Sequence, residues 1–410
     1  MAVEDRQDLD RFLHRGYTVS DMKLSYKYRL CLNQEQTKVM QKNFNFCCFL
    51  YNSALQERIS HYNLFGKGVY YNTQCHALPE IKKEFAGQTL SIYSQTLQQV
   101  LKRLDQSYQN FFRRVEEGAS KAGFPRYKSS DRFRSIVFPQ SDLQGFGVKL
   151  LANKRLQVFG IPGEVKVKWH RPFQGRCKQV MIVKQANKFY LVLSCNNVPS
   201  EHLAKTGKTI GIDLGLTRFI TSDDGTPFHH PKPYKTAKQR LALLNQKLAR
   251  KQRGSRNRRR VKSQLAVAYQ KVSNIRADFL HQTAKQLVAE NDIIVVEKLN
   301  IKSMLEAKGF EVNKENIQDA SWGRFLTLLS YKAERAGKVV IEVDPRNTSK
   351  RCSGCGNVKQ DLTLRDREYH CEPCGLAIDR DQNAAINIKQ LGMSCVTGQT
   401  VSEASTLRSR

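Results

Sequence analysis

Negative charge is scarce in this chain. Across 410 residues, 37 aspartates and glutamates stand against 68 lysines and arginines, a formal net charge of +31. An excess of that size points away from a small neutral substrate and toward a polyanion, of which nucleic acid is the commonest. Long apolar runs are missing as well. No stretch approaches the roughly 18 to 20 residues that span a bilayer, so no membrane role is expected. The opening MAVEDRQDLDRFLHRG is polar and mixed in charge, unlike a secretory signal, and a cytoplasmic, nucleoid-associated location follows. The eleven cysteines are odd in number. Seven of them (Cys31, Cys47, Cys48, Cys75, Cys177, Cys195 and Cys395) are scattered without a disulfide framework, as reduced core-filling thiols are.

The other four are ordered. Cys352 and Cys355 form one CxxC pair, Cys371 and Cys374 a second, with fifteen residues between the pairs. This is the spacing of a four-cysteine zinc ribbon or knuckle. Gly356 and Gly375 follow the two pairs and permit the tight turns that aim backbone amides at sulfur. Four thiolates leave no open coordination position, so the expected zinc is structural.

Along the chain, residues 1–21 read as a flexible leader. Lys23 to Cys31 alternates like a strand. Asn33, with Gln36 three residues on, opens a helix as a capping box does, and apolar residues recur at helical spacing to Ile59. A second helix is expected from about Leu90 to Glu117. Together these give a helical lobe over 33–130. Alternating strands from Ser135 to Ser194, including a hairpin turning at Asn187–Lys188, predict a small β-barrel over 22–32 and 131–200, with the helical lobe inserted after its first strand. Nucleic-acid contacts are expected from Tyr71, which could stack, from Gln98, and from Arg126, Lys128 and Arg134, which are interleaved with aromatics.

Thr226 to Ala277 holds fifteen lysines and arginines and no acid. Apolar residues persist at helical spacing, so a helical hairpin is expected, with Arg253, Arg256, Arg258, Arg259 and Arg260 at its tip against a phosphate backbone.

Three acids stand apart from the rest. Asp213 lies in TIGIDLGLTRFIT, a strand with Gly211 and Gly215 on the same face; the bare backbone there reads as room for a metal ion and a phosphodiester. Glu297 ends the apolar strand NDIIVVEKLN. Asp381 opens a helix in DRDQNAAINI and shares a face with Ala384, Ala385 and Ile388, while Asp379 reads as a brace for the turn. A strand hairpin, a distant strand end and a helix start fit an RNase H-like sheet. Three carboxylates at one sheet edge suit two divalent ions, Mg²⁺ or Mn²⁺, for phosphodiester hydrolysis.

GIDLGLTRFIT, IIVVEKLN, SWGRFLTLLSYKAERAGK, VDPRNTSKRCSGCG and CGLAIDRDQNAAINI, in this order, resemble the TnpB family, transposon-encoded RNA-guided DNA endonucleases related to type V CRISPR effectors. The resemblance is specific in the C-terminal half and looser in the N-terminal half. It implies a multidomain α/β protein: a RuvC nuclease domain over 205–348 and 376–392, a zinc module at 349–375 splitting it, a wedge barrel with a helical recognition lobe, and a tail at 393–410. It further implies Asp213, Glu297 and Asp381 as catalytic metal ligands, a guide RNA and double-stranded DNA as partners, and cleavage next to a short flanking motif. A monomer is expected. A nuclease-silent DNA-binding regulator and a guide-independent nuclease stay open as alternatives.

Overall fold

The computed structural model describes residues 22–306, 311–363 and 366–397. The expected leader, and residues 398–410 of the expected tail, lie outside them. The chain forms two compact units, divided between Pro199 and Ser200.

The first unit is built on strands β1 (Leu24–Cys31), β2 (Ser135–Phe138), β3 (Val148–Leu150), β4 (Leu156–Val158), β5 (Lys166–Lys168), β6 (Arg176–Gln185) and β7 (Lys188–Asn196). Five of them pair in the order β2-β6-β7-β1-β5. Along β1 the alternation is strict: Tyr26, Tyr28 and Leu30 are buried and the residues between them are exposed, as one buried sheet face demands. The β3–β4 hairpin is a separate two-stranded sheet, with an antiparallel bridge from Leu156 to Val165, the residue before β5. In the β6–β7 hairpin, Gln185 pairs with Lys188. The turn is therefore Ala186–Asn187, one residue earlier than expected, and Ala186 takes the positive φ of 49° that a tight hairpin needs.

Between β1 and β2 runs a set of helices: α1 (Gln34–Phe65), α2 (Tyr71–His76), α3 (Leu78–Glu84), α4 (Ala86–Thr89) and α5 (Ser94–Glu116). Asn33 and Gln36 make the reciprocal capping box at the start of α1, and Gly66 ends it at φ 66°. The second long helix starts at Ser94 rather than near Leu90; Leu90 is among the most exposed apolar side chains. Met40, Phe44, Leu97 and Leu101 share one core with Tyr28, Leu191 and Leu193.

The second unit has one sheet of strands β8 (Thr209–Asp213), β9 (Ile220–Ser222), β10 (Pro227–Phe228), β11 (Ile293–Glu297) and β12 (Val339–Val343), in the order β10-β9-β8-β11-β12. The first three are antiparallel; β11 runs parallel to both β8 and β12. The basic segment is a helical hairpin, α6 (Pro233–Ala249) and α7 (Arg256–Glu290). Two shorter helices, α8 (Ile301–Glu306) and α9 (Glu311–Ala320), lead to α10 (Trp322–Ala336), which Gly337 stops at φ 69°. Leu280, Ala284 and Leu287 of α7 and Phe325 and Leu329 of α10 pack on Ile212, Ile294 and Val296. After the hairpin β13 (Glu368–His370) and β14 (Ala377–Asp379) comes α11 (Arg380–Thr397), which covers the opposite face through Ile388 on Ile293, Val295 and Val343. It reaches five residues into the stretch expected to be tail. Among the described residues no helix is long and apolar enough to cross a membrane.

Candidate carboxylate site and metal centre

Side chains two residues apart on a strand share a face. Asp213 therefore lies on the face of Gly211, and Glu297 on that of Val295. Register sets them side by side: Gly211 pairs with Val295 in the parallel ladder, and the next step of the same parity brings Asp213 beside Glu297. This is the face that α11 covers. Asp381 stands in the first turn of that helix, where the helix dipole favours a carboxylate. Ala384, Ala385 and Ile388, its expected face-mates, are all fully buried.

The three acids interact electrostatically. Asp213 is held well above the usual carboxylate range, first by burial, then by the charges of Glu297 and Asp381, with Arg380 opposing. Glu297 is raised by burial, against a hydrogen bond from the Thr348 hydroxyl; only 7% of its surface is exposed, whereas a glutamate at a strand end usually faces solvent. Like charges this close with so little solvent call for a cation. Arg380 supplies part of it, its guanidinium donating to one Asp381 oxygen at 2.9 and 3.2 Å. The carboxylate oxygens do not all lie within 4.8 Å of one another; among the described residues only the four cysteines meet that limit.

Asp379 serves the turn. Its Oδ1 accepts the amides of Asp381 (3.0 Å) and Gln382 (3.1 Å), and its Oδ2 pairs with Arg218 at 3.0 Å. The turn between β9 and β10 is also tied to α11. Asp223 accepts from the Gly211 amide at 3.0 Å and from Lys389 Nζ at 2.6 Å, and its carbonyl accepts from Gln382 at 3.2 Å.

The glycines flanking Asp213 do something other than expected. A Cβ at Gly211 would meet the Ala385 carbonyl oxygen at 2.3 Å and Lys389 Cβ at 2.7 Å; one at Gly215 would meet the Arg218 carbonyl at 2.7 Å. The bare backbone at Gly211 is there for α11, not for a ligand.

The four thiols gather as their spacing predicts. Cys352 and Cys374 Sγ are 3.5 Å apart, as are Cys355 and Cys371, far beyond a disulfide bond and close to the ~3.8 Å edge of a tetrahedron with metal–sulfur bonds of about 2.3 Å. Burial raises the Cys352 thiol, but the amides of Cys355 and Gly354 together with the thiols of Cys371 and Cys374 outweigh it and bring it down to about 7. Burial pushes Cys371 up to about 12. Tyr369, fully buried against the cluster, donates to the Lys350 carbonyl at 3.0 Å.

The expected nucleic-acid residues divide in two. Gln98, Arg126, Arg134, Arg253, Arg256, Arg259 and Arg260 are exposed. Lys128 is half-buried, its ammonium 4.0 Å from the Tyr51 ring centroid. Arg258 is half-buried and donates to the carbonyls of Leu248 and Lys251, closing the hairpin tip. Tyr71 opens α2 half-buried, and its neighbour Tyr70 is the exposed ring, at 73%. In each of these cases local packing takes up a side chain that the sequence pattern leaves available.

Sequence reasoning missed Thr348, Arg380, Asn383 and Asn387. Asn383 and Asn387 are almost wholly buried on α11 and donate to the Arg351 carbonyl at 2.8 and 2.6 Å; Asn387 also donates to the Thr348 carbonyl at 2.8 Å. Their signal was two asparagines one helical turn apart on an otherwise apolar face.

Three family models match parts of this chain: a Cas12f1-like TNB domain over residues 322–388, a probable transposase over 192–308, and a helix-turn-helix domain over 22–67. The last of these stretches folds here as β1 and the single helix α1. A Streptomyces pristinaespiralis protein, carried under the provisional name RNA-guided DNA endonuclease, is 30% identical over 92% of this chain and 91% of its own length. An Escherichia coli protein under the same provisional name, InsQ, is 27% identical over 90% and 92%. The CRISPR-associated endodeoxyribonuclease Cas12f1 of Sulfoacidibacillus thermotolerans is 27% identical over 53% of each chain. Among solved structures, a Cas12f1–sgRNA–target DNA complex aligns over 88% of this chain and 83% of that one, with a TM-score of 0.55 at 16% identity, a likeness of fold.

Proposed function

The chain belongs to the TnpB family, and from that premise we propose that it is an RNA-guided DNA endonuclease that cuts double-stranded DNA beside a short flanking motif. The observation that carries the reading is that Asp213 and Glu297 share the sheet face covered by α11, whose first turn holds Asp381, with Asp213 pushed up by burial and by the charges of the other two. We read the second unit as an RNase H-like nuclease domain of the RuvC type. Its sheet order, with parallel β11 and β12 beside the antiparallel β8-β9-β10 and α11 on the acid face, supports that. The first unit reads as a wedge barrel carrying a recognition lobe, because the helices fall in the chain between β1 and β2, two strands of one five-stranded sheet.

The donor sets fit two kinds of metal. Oxygen-only ligands favour Mg²⁺ or Mn²⁺, and four thiolates at tetrahedral separations favour zinc. Divalent ions bound at the acids would activate water and stabilise the leaving oxygen. Asp213 and Glu297 present their carboxylates from adjacent strand ends, and Asp381 closes the site from α11. Arg380 offsets charge beside Asp381, and the exposed arginines of the α6–α7 hairpin supply contacts to a guide RNA or its heteroduplex.

The experiment is plasmid cleavage in Mg²⁺ by protein purified with its RNA, and by Asp213→Ala. The wild type should cut a matched target and the variant should not. Cutting that survives the substitution removes the site assignment. Binding without cutting leaves a guided regulator, and equal cutting after RNA removal leaves a guide-independent nuclease. Sequencing of the co-purified RNA should return one discrete species.

A further inference from the structure

Glu297 has one hydrogen-bonding neighbour that the nuclease reading does not use. Thr348 lies in the loop between β12 and the first CxxC pair, 3% exposed. Its hydroxyl faces two acceptors, the Pro345 carbonyl at 3.0 Å and Oε1 of Glu297. A hydroxyl carries one proton, and the charged acceptor makes the stronger bond. The loop holding Thr348 is itself clamped from α11. Asn387 donates to the Thr348 and Arg351 carbonyls, Asn383 donates to the Arg351 carbonyl, and the Ser353 amide donates to Asn383 Oδ1 at 2.9 Å. Cys352 sits between Arg351 and Ser353. A continuous hydrogen-bonded path therefore runs from the helix of Asp381, through the entrance of the four-cysteine module, to the carboxylate of Glu297.

We propose that Thr348 is a positioning residue for Glu297, and that the Asn383–Asn387 clamp makes the four-cysteine module set the placement of that carboxylate against Asp381. The proposal rests on the reading of Glu297 as a divalent-metal ligand. A carboxylate free to turn about its last torsion spends part of its time misdirected; a hydroxyl fixed on one oxygen removes that freedom. The loop's own fold does not need this bond, since its backbone is held by Asn387 and by the Thr348 amide to the Pro345 carbonyl. The module acts here through hydrogen bonds, not by touching the substrate.

Thr348→Val keeps the shape and removes the hydroxyl, whereas Thr348→Ser keeps the hydroxyl. Three quantities test the proposal on the full-length protein: the single-turnover cleavage rate of the RNA-loaded form on matched target, Mn²⁺ binding by calorimetry after nucleic acid is stripped, and zinc content. Thr348→Val should lower the cleavage rate and weaken Mn²⁺ binding by about tenfold each, the effect of one hydrogen bond to a charged group, with zinc content and target affinity unchanged. Thr348→Ser should stay within about twofold of wild type. Wild-type rate and Mn²⁺ affinity in Thr348→Val overturn the proposal, as does an equal loss in both variants accompanied by loss of zinc. Glu297→Gln separates the two layers. If it leaves cleavage and Mn²⁺ binding intact, the underlying site reading fails; if it abolishes them while Thr348→Val changes nothing, only the positioning role fails.

Discussion

Gly211 of β8 lies so close to Ala385 of α11 that a methyl group on the glycine would fall 2.3 Å from the alanine's carbonyl oxygen. The helix makes the reciprocal approach at Gly392, where a Cβ would fall 2.4 Å from Val295 of β11. One glycine on the sheet and one on the helix let the two surfaces interlock between the strands that carry Asp213 and Glu297. Gly211→Ala should therefore force α11 outward and destabilise by about 1–3 kcal/mol, as overpacking of a tight contact does. Thermal melts should show the loss. Gly87→Ala, at a helical position with nothing within 4 Å, is the control and should be neutral or slightly stabilising.

Charge repulsion among the acids should appear as lost stability when no cation is bound. Asp213→Asn removes one of three crowded carboxylates, and in chelator-treated buffer the variant should melt at a higher temperature than the wild type. Millimolar Mg²⁺ should raise the wild-type midpoint and leave the variant nearly unmoved, because binding to the native state alone stabilises it. A variant that melts lower than wild type without metal would show that the site is not strained by its own charges.

Asp292 and Lys338 form an ion pair that is buried on both sides. Burial raises the Asp292 carboxyl, but Lys338 and the amides of Thr206 and Gly207 outweigh it and hold it below the usual range. A depressed folded-state value means the native form binds fewer protons, so this stabilisation is complete above the unfolded pKa of about 4 and is lost as pH falls through the folded value. Asp292→Asn should lose about 3–5 kcal/mol at neutral pH, chiefly from the stranded Lys338. It should also flatten the acid limb of a stability–pH curve, read by urea denaturation between about pH 6 and pH 3. An acid limb as steep as wild type would rule the pair out as its source.

The hairpin tip contains two kinds of arginine. Replacing the exposed Arg253, Arg256, Arg259 and Arg260 by alanine should weaken RNA binding. It should also reduce the slope of log K against log salt by roughly three, at about 0.7–0.9 for each phosphate no longer neutralised. The melting midpoint should hold. Arg258→Ala should do the reverse, lowering the midpoint by removing the brace on Leu248 and Lys251 while changing the salt slope by less than a single phosphate would. Equal behaviour of the two kinds would dissolve the distinction.

What could be read from the sequence follows from how local each cause is. The capping box of Asn33 and Gln36 and the helical repeat behind it are local, and α1 stands where they put it. Metal geometry fixes cysteine spacing, so the cluster at 352–374 was legible to the residue. Strand parity alone puts Glu297 on the face of Ile293 and Val295, the face that Ile388 of α11 covers. The failures are non-local. Gly211 announces that something comes close, but only the topology reveals that it is a helix from the far end of the domain. Thr348 looks like any loop threonine until β11 ends beside it. Arg258 and Lys128 carry the same charge as their neighbours, and only packing distinguishes a brace from a free cation. The strands β13 and β14, three residues each, are too short to carry a period.

The order of the acids along the chain has a temporal consequence. Asp213 and Glu297 belong to strands made early, while Asp381 rides on α11, the last helix described. A ribosome emits residues N-terminal first, at about 5–20 per second, so a growing chain holds two of the three acids for many seconds with one sheet face still bare. Only when α11 emerges does that face close, and the same docking that buries Ile388 delivers Asp381. Completion of the fold and completion of the carboxylate set are therefore a single event, and a nascent or C-terminally clipped chain that lacks α11 lacks Asp381 as well.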